Sequence, residues 1–421
     1  MHFAVECPQS VEEKMSDRND RYSTRIGNMR ASEVRELLKL LDQPDIISFA
    51  GGIPDPALFP KEAIQEAYNA ILSENAGAAL QYSVSEGYKP LRQWLVQHMA
   101  SLGVDCTIDN IIITTGSQQA LDYLGKLFIS PGDTILTTWP TYLGALQAFN
   151  AYEPHYDRLS PEGGNMTPAA YLQNAKNAGG EVKLAYLTAD FSNPTGETVN
   201  RDNRVKLVTL AHELDIPLIE DAAYRSLRFE GENAPSLLAL DIESEGHIDR
   251  TRVIYSGSFS KTLTPGLRVG WVCASQPVIA KLVLIKQAAD LHSPTINQMV
   301  IHHVAERHFD EQVEKARNSY RERRNHMLDA LARTMPAGVS WTRPEGGMFV
   351  WLTLPEHMDG AKLLARSIEK IRVAFVPGSA FYADGTGKNT IRLNFSLPDA
   401  EAINTGMTRL GALIAEEIAT K

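Results

Sequence analysis

The sequence predicts an α/β protein with a large three-layer α/β/α domain, built around a central, mostly parallel sheet, and a smaller α+β domain. Between about residues 61 and 305, short apolar runs alternate with segments of helical periodicity, as expected for parallel strands joined by helices. The charged stretch 311–324 then predicts a long exposed helix. Apolar runs return at 348–351, 373–376 and 390–395, before an amphipathic C-terminal helix, and indicate a second unit.

Three parts of the chain are expected. Residues 1–60 form an N-terminal arm and a segment that packs on the small domain, residues 61–310 form the large domain, and residues 311–421 form the small domain. A chain of 421 residues is long enough for two domains, and its 43% hydrophobic content supports a sizeable core.

Polar residues follow several apolar runs of the large domain. The runs that predict buried strands are 111–115, 183–188, 216–219, 252–255 and 269–274. Ligands of open α/β sheets bind beyond the carboxyl ends of the strands. We therefore expect Lys261, which follows the run 252–255, to project from the carboxyl end of its strand into a crevice.

The run 252–255 is followed by a lysine in a setting that suits a phosphate-bearing aldehyde. Lys261 can form a Schiff base with an aldehyde. Ser258 and Ser260 can donate hydrogen bonds to phosphate oxygens, and Arg268 can add a charge-assisted contact. Pyridoxal phosphate meets these requirements. The alternatives are a solvated surface lysine and a nucleotide-binding P-loop, but that loop requires glycine where this chain has Tyr255 and Ser260.

Asp221 follows the run 216–219 and is a candidate partner for the pyridine nitrogen of such a cofactor. A carboxylate that keeps this nitrogen protonated makes the ring an electron sink. A buried carboxylate without a partner would instead become neutral through a raised pKa, so an apolar setting favours a cation nearby. The alternative is an aspartate that caps the following helix.

Residues 116–119 follow the apolar run 111–115 and open a helix whose free backbone amides form an anion site. A phosphate would be stabilised by this helix N-terminus as well as by Ser258, Ser260 and Arg268. Ser117 can cap the helix at the same time.

Several motifs occur in an order that resembles a known family. They are Tyr82 in QYS, 115–119 (TGSQQ), Tyr142, 193–196 (NPTG), 221–224 (DAAY), 258–261 (SFSK) with Arg268, and Arg392 in IRL. From about Arg25 to the C-terminus, the chain resembles the fold-type I pyridoxal-phosphate aminotransferases. Residues 48–54 (SFAGGIP) and 345–351 (EGGMFVW) are most similar to the branch of 2-aminoadipate and kynurenine aminotransferases.

The resemblance implies roles for further residues around the cofactor. Asn193 and Tyr224 would hydrogen-bond its ring oxygen, and Tyr142 would stack on its ring. Tyr82 would reach the phosphate of a neighbouring subunit, which implies a homodimer with shared active sites. The expected cofactor-binding residues are thus Tyr82, Gly116, Ser117, Gln118, Tyr142, Asn193, Asp221, Tyr224, Ser258, Ser260, Lys261 and Arg268.

Two features of the segment around Asn193 favour other interpretations. The sequence 193–196 is an ordinary turn sequence. The preceding residues, 189–192, depart from the proline and the glutamine or asparagine that are expected in the kynurenine-like branch.

Substrate contacts are expected from both ends of the chain. Arg392 resembles the family's clamp for the substrate α-carboxylate, and Lys261 is the natural general base. The expected catalytic residues are Lys261, Asp221 and Tyr224, and the expected substrate-binding residues are Arg392, Asn193, Gly51, Arg35 and Ser32. Arg35 could pair with a side-chain carboxylate. Equally, Ser32 could be an N-cap and Arg35 a solvated helix residue.

Composition limits the partners to small molecules. The formal net charge of −10 argues against nucleic acid, and the sequence has neither a basic run nor a twenty-residue apolar span that would indicate nucleic acid or a membrane. Amino acids and 2-oxo acids are the expected partners. No metal is expected, because His302, His303 and His308 do not share one helical face.

The three cysteines, Cys7, Cys106 and Cys273, are widely separated and odd in number. A disulfide framework is therefore not expected, and a reducing compartment fits. The first ten residues have no apolar core of signal-peptide length, so a cytoplasmic location is expected.

The resemblance implies an aminotransferase with ping-pong kinetics. It would move an α-amino group from 2-aminoadipate, an aromatic amino acid, glutamate or a similar donor to a 2-oxo acid such as 2-oxoglutarate. If Arg392 holds the carboxylate near the ring plane, proton abstraction is favoured over decarboxylation. The alternatives are another pyridoxal-phosphate enzyme, such as a lyase or decarboxylase, and a non-enzymatic ligand sensor.

Overall fold

The computed structural model describes residues 22–29 and 45–419. The strands in this part of the chain are β1 Ile47–Ser48, β2 Ile111–Thr114, β3 Thr134–Thr137, β4 His155–Arg158, β5 Val182–Leu187, β6 Leu218–Asp221, β7 Val253–Ser258, β8 Gly270–Cys273, β9 Ser340–Trp341, β10 Phe349–Thr353, β11 Val373–Ala374, β12 Val376–Pro377 and β13 Thr390–Asn394. The α-helices are α1 Thr24–Asn28, α2 Lys61–Glu74, α3 Ala76–Leu80, α4 Lys89–Ser101, α5 Ser117–Phe128, α6 Leu143–Asn150, α7 Pro168–Ala178, α8 Arg201–Leu214, α9 Leu237–Glu245, α10 Gln276–Ala289, α11 Thr295–Thr334, α12 Gly360–Ile371 and α13 Ala400–Ala419.

The largest sheet has seven strands in the spatial order β2-β8-β7-β6-β5-β3-β4. Strand β8 runs antiparallel to both of its neighbours, and the other pairs are parallel. Every residue of β2, β3, β6, β7 and β8 is buried. Burial on both faces explains why these strands are nearly continuous apolar runs in the sequence.

Alternate residues of these strands pack into two different cores. Ile112 and Val272 pack with α5, α6 and α10, whereas Ile111, Ile113 and Cys273 pack with α2, α4, α8 and α11. This period of two is the one that strand geometry requires. Helices therefore cover both faces of the sheet, and the predicted three-layer α/β/α arrangement is confirmed.

A smaller α+β unit follows, as predicted. Strands β12, β13, β10 and β9 form an antiparallel sheet in that order, and β1 pairs in parallel with β11. Its core combines strand residues such as Phe349 and Ile391 with Ile403, Met407 and Leu410 of α13. The pairing of β1 places residues 47–48 on this unit.

Helix α11 contributes to both cores. Val300 and Val304 pack into the core of the large sheet, and Tyr320 and Leu331 pack into the core of the small unit. The expectation of an exposed helix over 311–324 is wrong in part, because the helix begins at Thr295 and its apolar side is buried. The expected domain boundary at residues 310 and 311 falls inside this helix, and it stays a prediction.

None of the described helices is both long enough and apolar enough to cross a membrane. In residues 22–29 and 45–419, no three histidine, cysteine, aspartate or glutamate side chains gather in a way that could hold a metal ion. His302 packs edge-on against the ring of Tyr88, with 5.9 Å between the ring centroids.

Candidate active site

The carboxyl edge of the large sheet brings together the polar residues that follow its strands. Residues 115–117 follow β2, Tyr142 lies beyond β3, and Asn193 lies beyond β5. Asp221 is the last residue of β6, and Lys261 comes three residues after β7. The crevice at this edge therefore contains the side chains that the sequence places after separate apolar runs.

Asp221 is nearly completely buried and accepts two hydrogen bonds. Tyr186 Oη donates to Asp221 Oδ2 at 2.8 Å, and the backbone N–H of Ala223 donates to Oδ1 at 3.3 Å. Burial raises the pKa of Asp221 above its ordinary value, although these hydrogen bonds and the charge of Lys261 oppose the rise. Among the described residues, Asp221 has no ion-pair partner within 4.0 Å.

Arg392 of β13 joins the small unit to this crevice. Its Nη1 donates to Asn193 Oδ1 at 2.7 Å, and its Nη2 donates to the carbonyl oxygen of Ala50 at 2.7 Å. Asn193 Nδ2 in turn donates to Tyr224 Oη at 3.3 Å. A continuous chain of hydrogen bonds therefore links Arg392, Asn193 and Tyr224.

The Arg392 guanidinium also lies between two aromatic rings. Its central carbon is 4.3 Å from the ring centroid of Phe349 and 4.9 Å from that of Phe381. Burial lowers the pKa of Arg392 to about 10. Its buried Nε has no hydrogen-bond partner among the described residues. A bound carboxylate would satisfy this donor, and buried donors in folded proteins are generally satisfied.

Lys261 is half-buried in the same crevice. Its Nζ donates to the carbonyl oxygen of Gly52 at 2.9 Å and lies 5.9 Å from the ring centroid of Tyr224. Burial, with the positive charges of Arg392 and Arg268, lowers the pKa of Lys261 to about 8 against the attraction of Asp221. A larger neutral fraction near neutral pH is what a nucleophilic or proton-accepting lysine requires.

A second group of residues forms an anion cradle beside Lys261. We use this name for Gly116, Ser117, Ser258, Ser260 and Arg268. Arg268 Nη1 lies 3.4 Å from Ser260 Oγ, and the Ser260 N–H donates to Ser258 Oγ at 3.1 Å. The cradle combines hydroxyl groups, a guanidinium and the start of α5, which together suit a phosphate.

Two glycines allow the parts of the anion cradle to approach each other. A Cβ atom on Gly116, which has a φ of +80°, would lie 2.3 Å from Arg268 Nη2. A Cβ atom on Gly270 of β8 would lie 2.8 Å from the backbone nitrogen of Ser117. Any larger residue at either position would displace the guanidinium or the start of α5.

Three further predicted site residues are Gln118, Tyr142 and Gly51. Gln118 Nε2 donates to the carbonyl oxygen of Gly144 at 2.7 Å, and the Tyr142 ring is so close to Gly144 that an added Cβ would lie 2.4 Å from it. Gly51 lies between Ala50 and Gly52, whose carbonyl oxygens accept from Arg392 and Lys261 respectively.

Tyr82 lies on the surface of the chain. Its side chain is 80% exposed, and its ring packs edge-on against His292 with 6.0 Å between the centroids. Two predicted substrate-binding residues, Ser32 and Arg35, lie outside the described residues.

Sequence reasoning missed three contacts of the crevice. Tyr186 was part of an apolar strand, and no role was expected for it, although the register of β5 against β6 places it near Asp221. The carbonyl oxygens of Ala50 and Gly52 were also missed, because the sequence does not show how a loop directs its backbone. The glycine pair at 51–52 was the available signal.

The comparisons with known proteins agree with this geometry. Residues 44–410 match the family described as aminotransferase class I and II. The chain belongs to the class I and II aminotransferases. As a member of this family, the aminotransferase moves amino groups between amino acids and 2-oxo acids.

Similar proteins cover nearly the whole chain. Aromatic-amino-acid aminotransferase 1 of Thermococcus litoralis is 42% identical over 99% of this chain and 100% of its own. The 2-aminoadipate transaminase of Thermus thermophilus is 44% identical over 91% of this chain and 94% of its own. Among solved structures, Pyrococcus horikoshii kynurenine aminotransferase in complex with PMP is similar to this chain with a TM-score of 0.87 and a sequence identity of 43%. The match covers 96% of this chain and 99% of the Pyrococcus chain.

These relationships confirm pyridoxal phosphate as the cofactor of the aminotransferase, since PMP is its aminated form. The crevice fits this molecule on three independent observations. The buried Asp221 lacks an ion-pair partner among the described residues, the anion cradle suits a phosphate, and Lys261 Nζ lies in the same crevice.

Proposed function

We propose that this chain is a homodimeric pyridoxal-phosphate aminotransferase with the following division of roles. Lys261 attaches the cofactor and transfers protons, and Asp221 pairs with the pyridine nitrogen. The anion cradle, Gln118 and Tyr82 of a second copy bind the phosphate end, and Tyr142 covers the ring. Asn193 and Tyr224 bind the ring oxygen, and Arg392 binds the substrate carboxylate. The observation that carries the proposal is the hydrogen-bond chain from Arg392 through Asn193 to Tyr224, beside Lys261.

The bound cofactor supplies an aldehyde for the substrate amino group and a ring that withdraws electrons from the substrate α-carbon. Lys261 Nζ accepts the proton from that carbon, because its lowered pKa of about 8 leaves part of it neutral near neutral pH. Asp221 holds a compensating negative charge near the ring nitrogen. Its hydrogen bond from Tyr186 favours the ionised form against the effect of burial.

Arg392 fixes the substrate by its carboxylate. Two of its N–H groups already donate to Asn193 and Ala50, and the stacked Phe349 and Phe381 rings restrict the plane of the guanidinium. Its unpartnered Nε provides a further donor for a carboxylate. If Arg392 holds the substrate carboxylate near the plane of the cofactor ring, removal of the α-proton is favoured over decarboxylation.

We expect the donors to include 2-aminoadipate, aromatic amino acids and kynurenine. The names of the similar proteins from Thermus, Thermococcus and Pyrococcus support this range. We also propose that Arg35 and Ser32 contact the distal end of the donor, and that glutamate serves as an acidic donor.

The dimer is supported by an exposed apolar surface around Tyr82. The side chains of Leu80, Tyr82, Val84 and Leu291 are each more than half exposed. Exposed apolar patches of this kind mark interaction surfaces. A second copy that covers this surface would bury Tyr82. The cytoplasmic location is supported by the thiols of Cys106 and Cys273, both of which are free.

The test is a single-turnover reaction of the loaded protein with each donor in the absence of a 2-oxo acid. We expect one 2-oxo acid per active site, a matching change in the cofactor absorbance, and reversal when 2-oxoglutarate is added. Arg392→Lys should raise the KM of every donor while the cofactor content stays unchanged, because a point charge replaces a bidentate fork. Release of carbon dioxide or of an elimination product would instead support the lyase or decarboxylase alternative.

A further inference from the structure

A buried lysine lies directly behind the anion cradle and takes no part in the roles assigned above. Lys286 is completely buried near the end of α10. Its Nζ lies 2.9 Å from Gln119 Oε1, 3.0 Å from Asp290 Oδ1 and 3.0 Å from Ser293 Oγ. Lys286 is thus held by a carboxylate, an amide and a hydroxyl group, as a buried cation requires.

Asp290 gathers donors from the same neighbourhood. Gln119 Nε2 donates to Asp290 Oδ2 at 2.7 Å, and Tyr123 Oη donates to Oδ1 at 3.2 Å. Thr115 Oγ1 lies 3.2 Å from Asp290 Oδ2. The ion pair between Lys286 and Asp290 therefore forms the centre of a connected network.

The network makes contacts at both ends of the turn 115–118 of the anion cradle. Thr115 directly precedes Gly116, and its hydroxyl bonds to Asp290 and Ser293. Gln119 lies in the first turn of α5, just after the cradle residue Ser117 and Gln118. Its Oε1 accepts from the backbone N–H of Thr115 at 2.8 Å and from Lys286 at 2.9 Å. One amide group therefore joins the two ends of the turn to the buried ion pair.

We propose that Lys286, Asp290 and Gln119 are positioning residues that hold the turn 115–118 in its phosphate-binding shape. They act through Thr115 and the start of α5 and do not themselves contact the cofactor. A preformed turn spares the cost of ordering these backbone amides when a phosphate binds. This inference rests on the proposed role of the anion cradle.

The aminated cofactor is the ligand that tests the inference most directly. Pyridoxamine phosphate has no aldehyde and cannot attach to Lys261, so its retention depends on noncovalent contacts, including those of the cradle. Inorganic phosphate serves as a second probe, because the only contacts that it shares with the cofactor are those to the phosphate group. Both dissociation constants can be measured by calorimetry on the full-length protein from which the cofactor has been removed.

The main variant is Gln119→Leu, which keeps the Lys286–Asp290 ion pair but removes the bridge to Thr115. We expect it to weaken the binding of pyridoxamine phosphate and of inorganic phosphate by about tenfold each. The double variant Lys286→Met with Asp290→Asn removes both charges together and should have a similar effect. With saturating cofactor, kcat should change much less than the two dissociation constants.

The matched control is Arg92→Met. Arg92 is also a buried cation, and it donates to the carbonyl oxygens of Ile108 and Ile111 at the opposite end of β2. This variant should lower Tm without changing either dissociation constant. If Gln119→Leu and the double variant lower Tm but leave both constants unchanged, the network has only a structural role and the inference is wrong.

A reference variant separates this inference from the proposed function. Arg268→Ala should weaken both ligands if the anion cradle binds phosphate. If Arg268→Ala has no effect, the proposed phosphate site is itself wrong, and the inference fails with it. If Arg268→Ala weakens binding and neither Gln119→Leu nor the double variant does, only the positioning role is wrong.

Discussion

Tyr186 and Asp221 form a buried hydrogen bond of 2.8 Å between neighbouring strands of the large sheet. The tyrosine hydroxyl donates to the carboxyl group, which has no ion-pair partner within 4.0 Å among the described residues. Burial makes the ionised form of Asp221 costly until a cation pairs with it. The apoprotein therefore carries an electrostatic cost that cofactor binding can relieve.

Asp221→Asn should make the apoprotein less sensitive to pH. The folded-state pKa of Asp221 is raised above 3.8, so its contribution to stability is fully present below the unfolded pKa and is lost as pH rises through the folded pKa. As pH rises from 4 to 7, the Tm of the wild-type apoprotein should therefore fall relative to the Tm of the variant. Calorimetry on both apoproteins from pH 4 to 7 measures this difference, and parallel curves would contradict it. In the loaded enzyme, the same variant should lower turnover by about two orders of magnitude.

The rate at which the apoprotein takes up pyridoxal phosphate should rise with pH, with the midpoint of the rise near pH 8. In the proposed role of Lys261 the neutral form reacts, and burial, Arg392 and Arg268 lower its pKa to about 8. At pH 7 roughly one lysine in ten would be neutral. Stopped-flow absorbance gives the midpoint of the profile.

Charge variants should move this midpoint in opposite directions. Arg392→Leu removes a positive charge and should raise the pKa of Lys261, whereas Asp221→Asn removes a negative charge and should lower it. A midpoint that is the same in all three proteins would show that these charges do not control the lysine.

The predictable parts of the fold and the site have a common physical origin. Strands buried on both faces, such as β2 and β7, are continuous apolar runs, and residues at their carboxyl ends must share one edge of the sheet. This is why Lys261 and Asp221 could be placed in one crevice from sequence. The resemblance to a family added Asn193, Tyr224 and Arg392.

The remaining contacts depend on tertiary packing that sequence patterns do not encode. Tyr186 has the pattern of a core residue, and only the register of β5 against β6 brings it to Asp221. Lys286 lies in an apolar helix, and the loop after α10 decides what it pairs with. In α11, the many charged residues of 311–324 suggest an exposed helix, although the apolar side of α11 packs into two separate cores.

Asp190 shows how a departure from the expected family pattern is accommodated. It is buried between two arginines, with Arg204 Nη2 at 2.6 Å and Arg225 Nη1 at 2.7 Å. Burial opposes ionisation, but the charges of Arg225 and Arg204 hold the pKa of Asp190 below its ordinary value. Asp190 lies between β5 and Asn193, and it joins Arg204 of α8 to Arg225, which follows β6 and Asp221. Asp190 thus stabilises the segments that follow β5 and β6 and position Asn193 and Asp221.

Asp190→Asn should lower the free energy of unfolding by about 3–5 kcal/mol, because the buried Arg225 would lose its carboxylate and the buried Arg204 would keep only Glu220, at 3.8 Å. Since the folded pKa is lowered, this stabilisation is present above the unfolded pKa and is lost as pH falls through the folded pKa. Denaturant unfolding at neutral and acidic pH measures it. The wild type and the variant should converge at acidic pH.

The matched control for Asp190→Asn uses an exposed ion pair of the same helix. Arg201 and Arg204 both lie in the first turns of α8, but Arg201 pairs with Glu243 at 3.6 Å on the surface. Glu243→Gln should change the free energy of unfolding by less than about 1 kcal/mol. Equal losses in the two variants would contradict the importance of burial.

Mixing two inactive variants should restore activity if Tyr82 completes the site of a second copy. In a hybrid dimer of Tyr82→Ala with Lys261→Ala, one site carries both substitutions and the other carries neither. Random exchange of equal amounts makes half of the dimers hybrid, so activity should recover to about a quarter of the wild-type value. Tyr82→Ala must itself be strongly impaired for this test, and its loss is expected to be in cofactor retention.

The order of mixing provides the control for the dimer. The two variants are mixed either before or after a step of mild denaturation and refolding in the presence of cofactor, and only the first sample can form hybrids during refolding. If Tyr82 acts within its own chain, each hybrid subunit keeps its own defect, and neither sample should recover activity. Recovery confined to the first sample would show that Tyr82 and Lys261 of different copies build one site, as the 80% exposure of Tyr82 in a single chain leads us to expect.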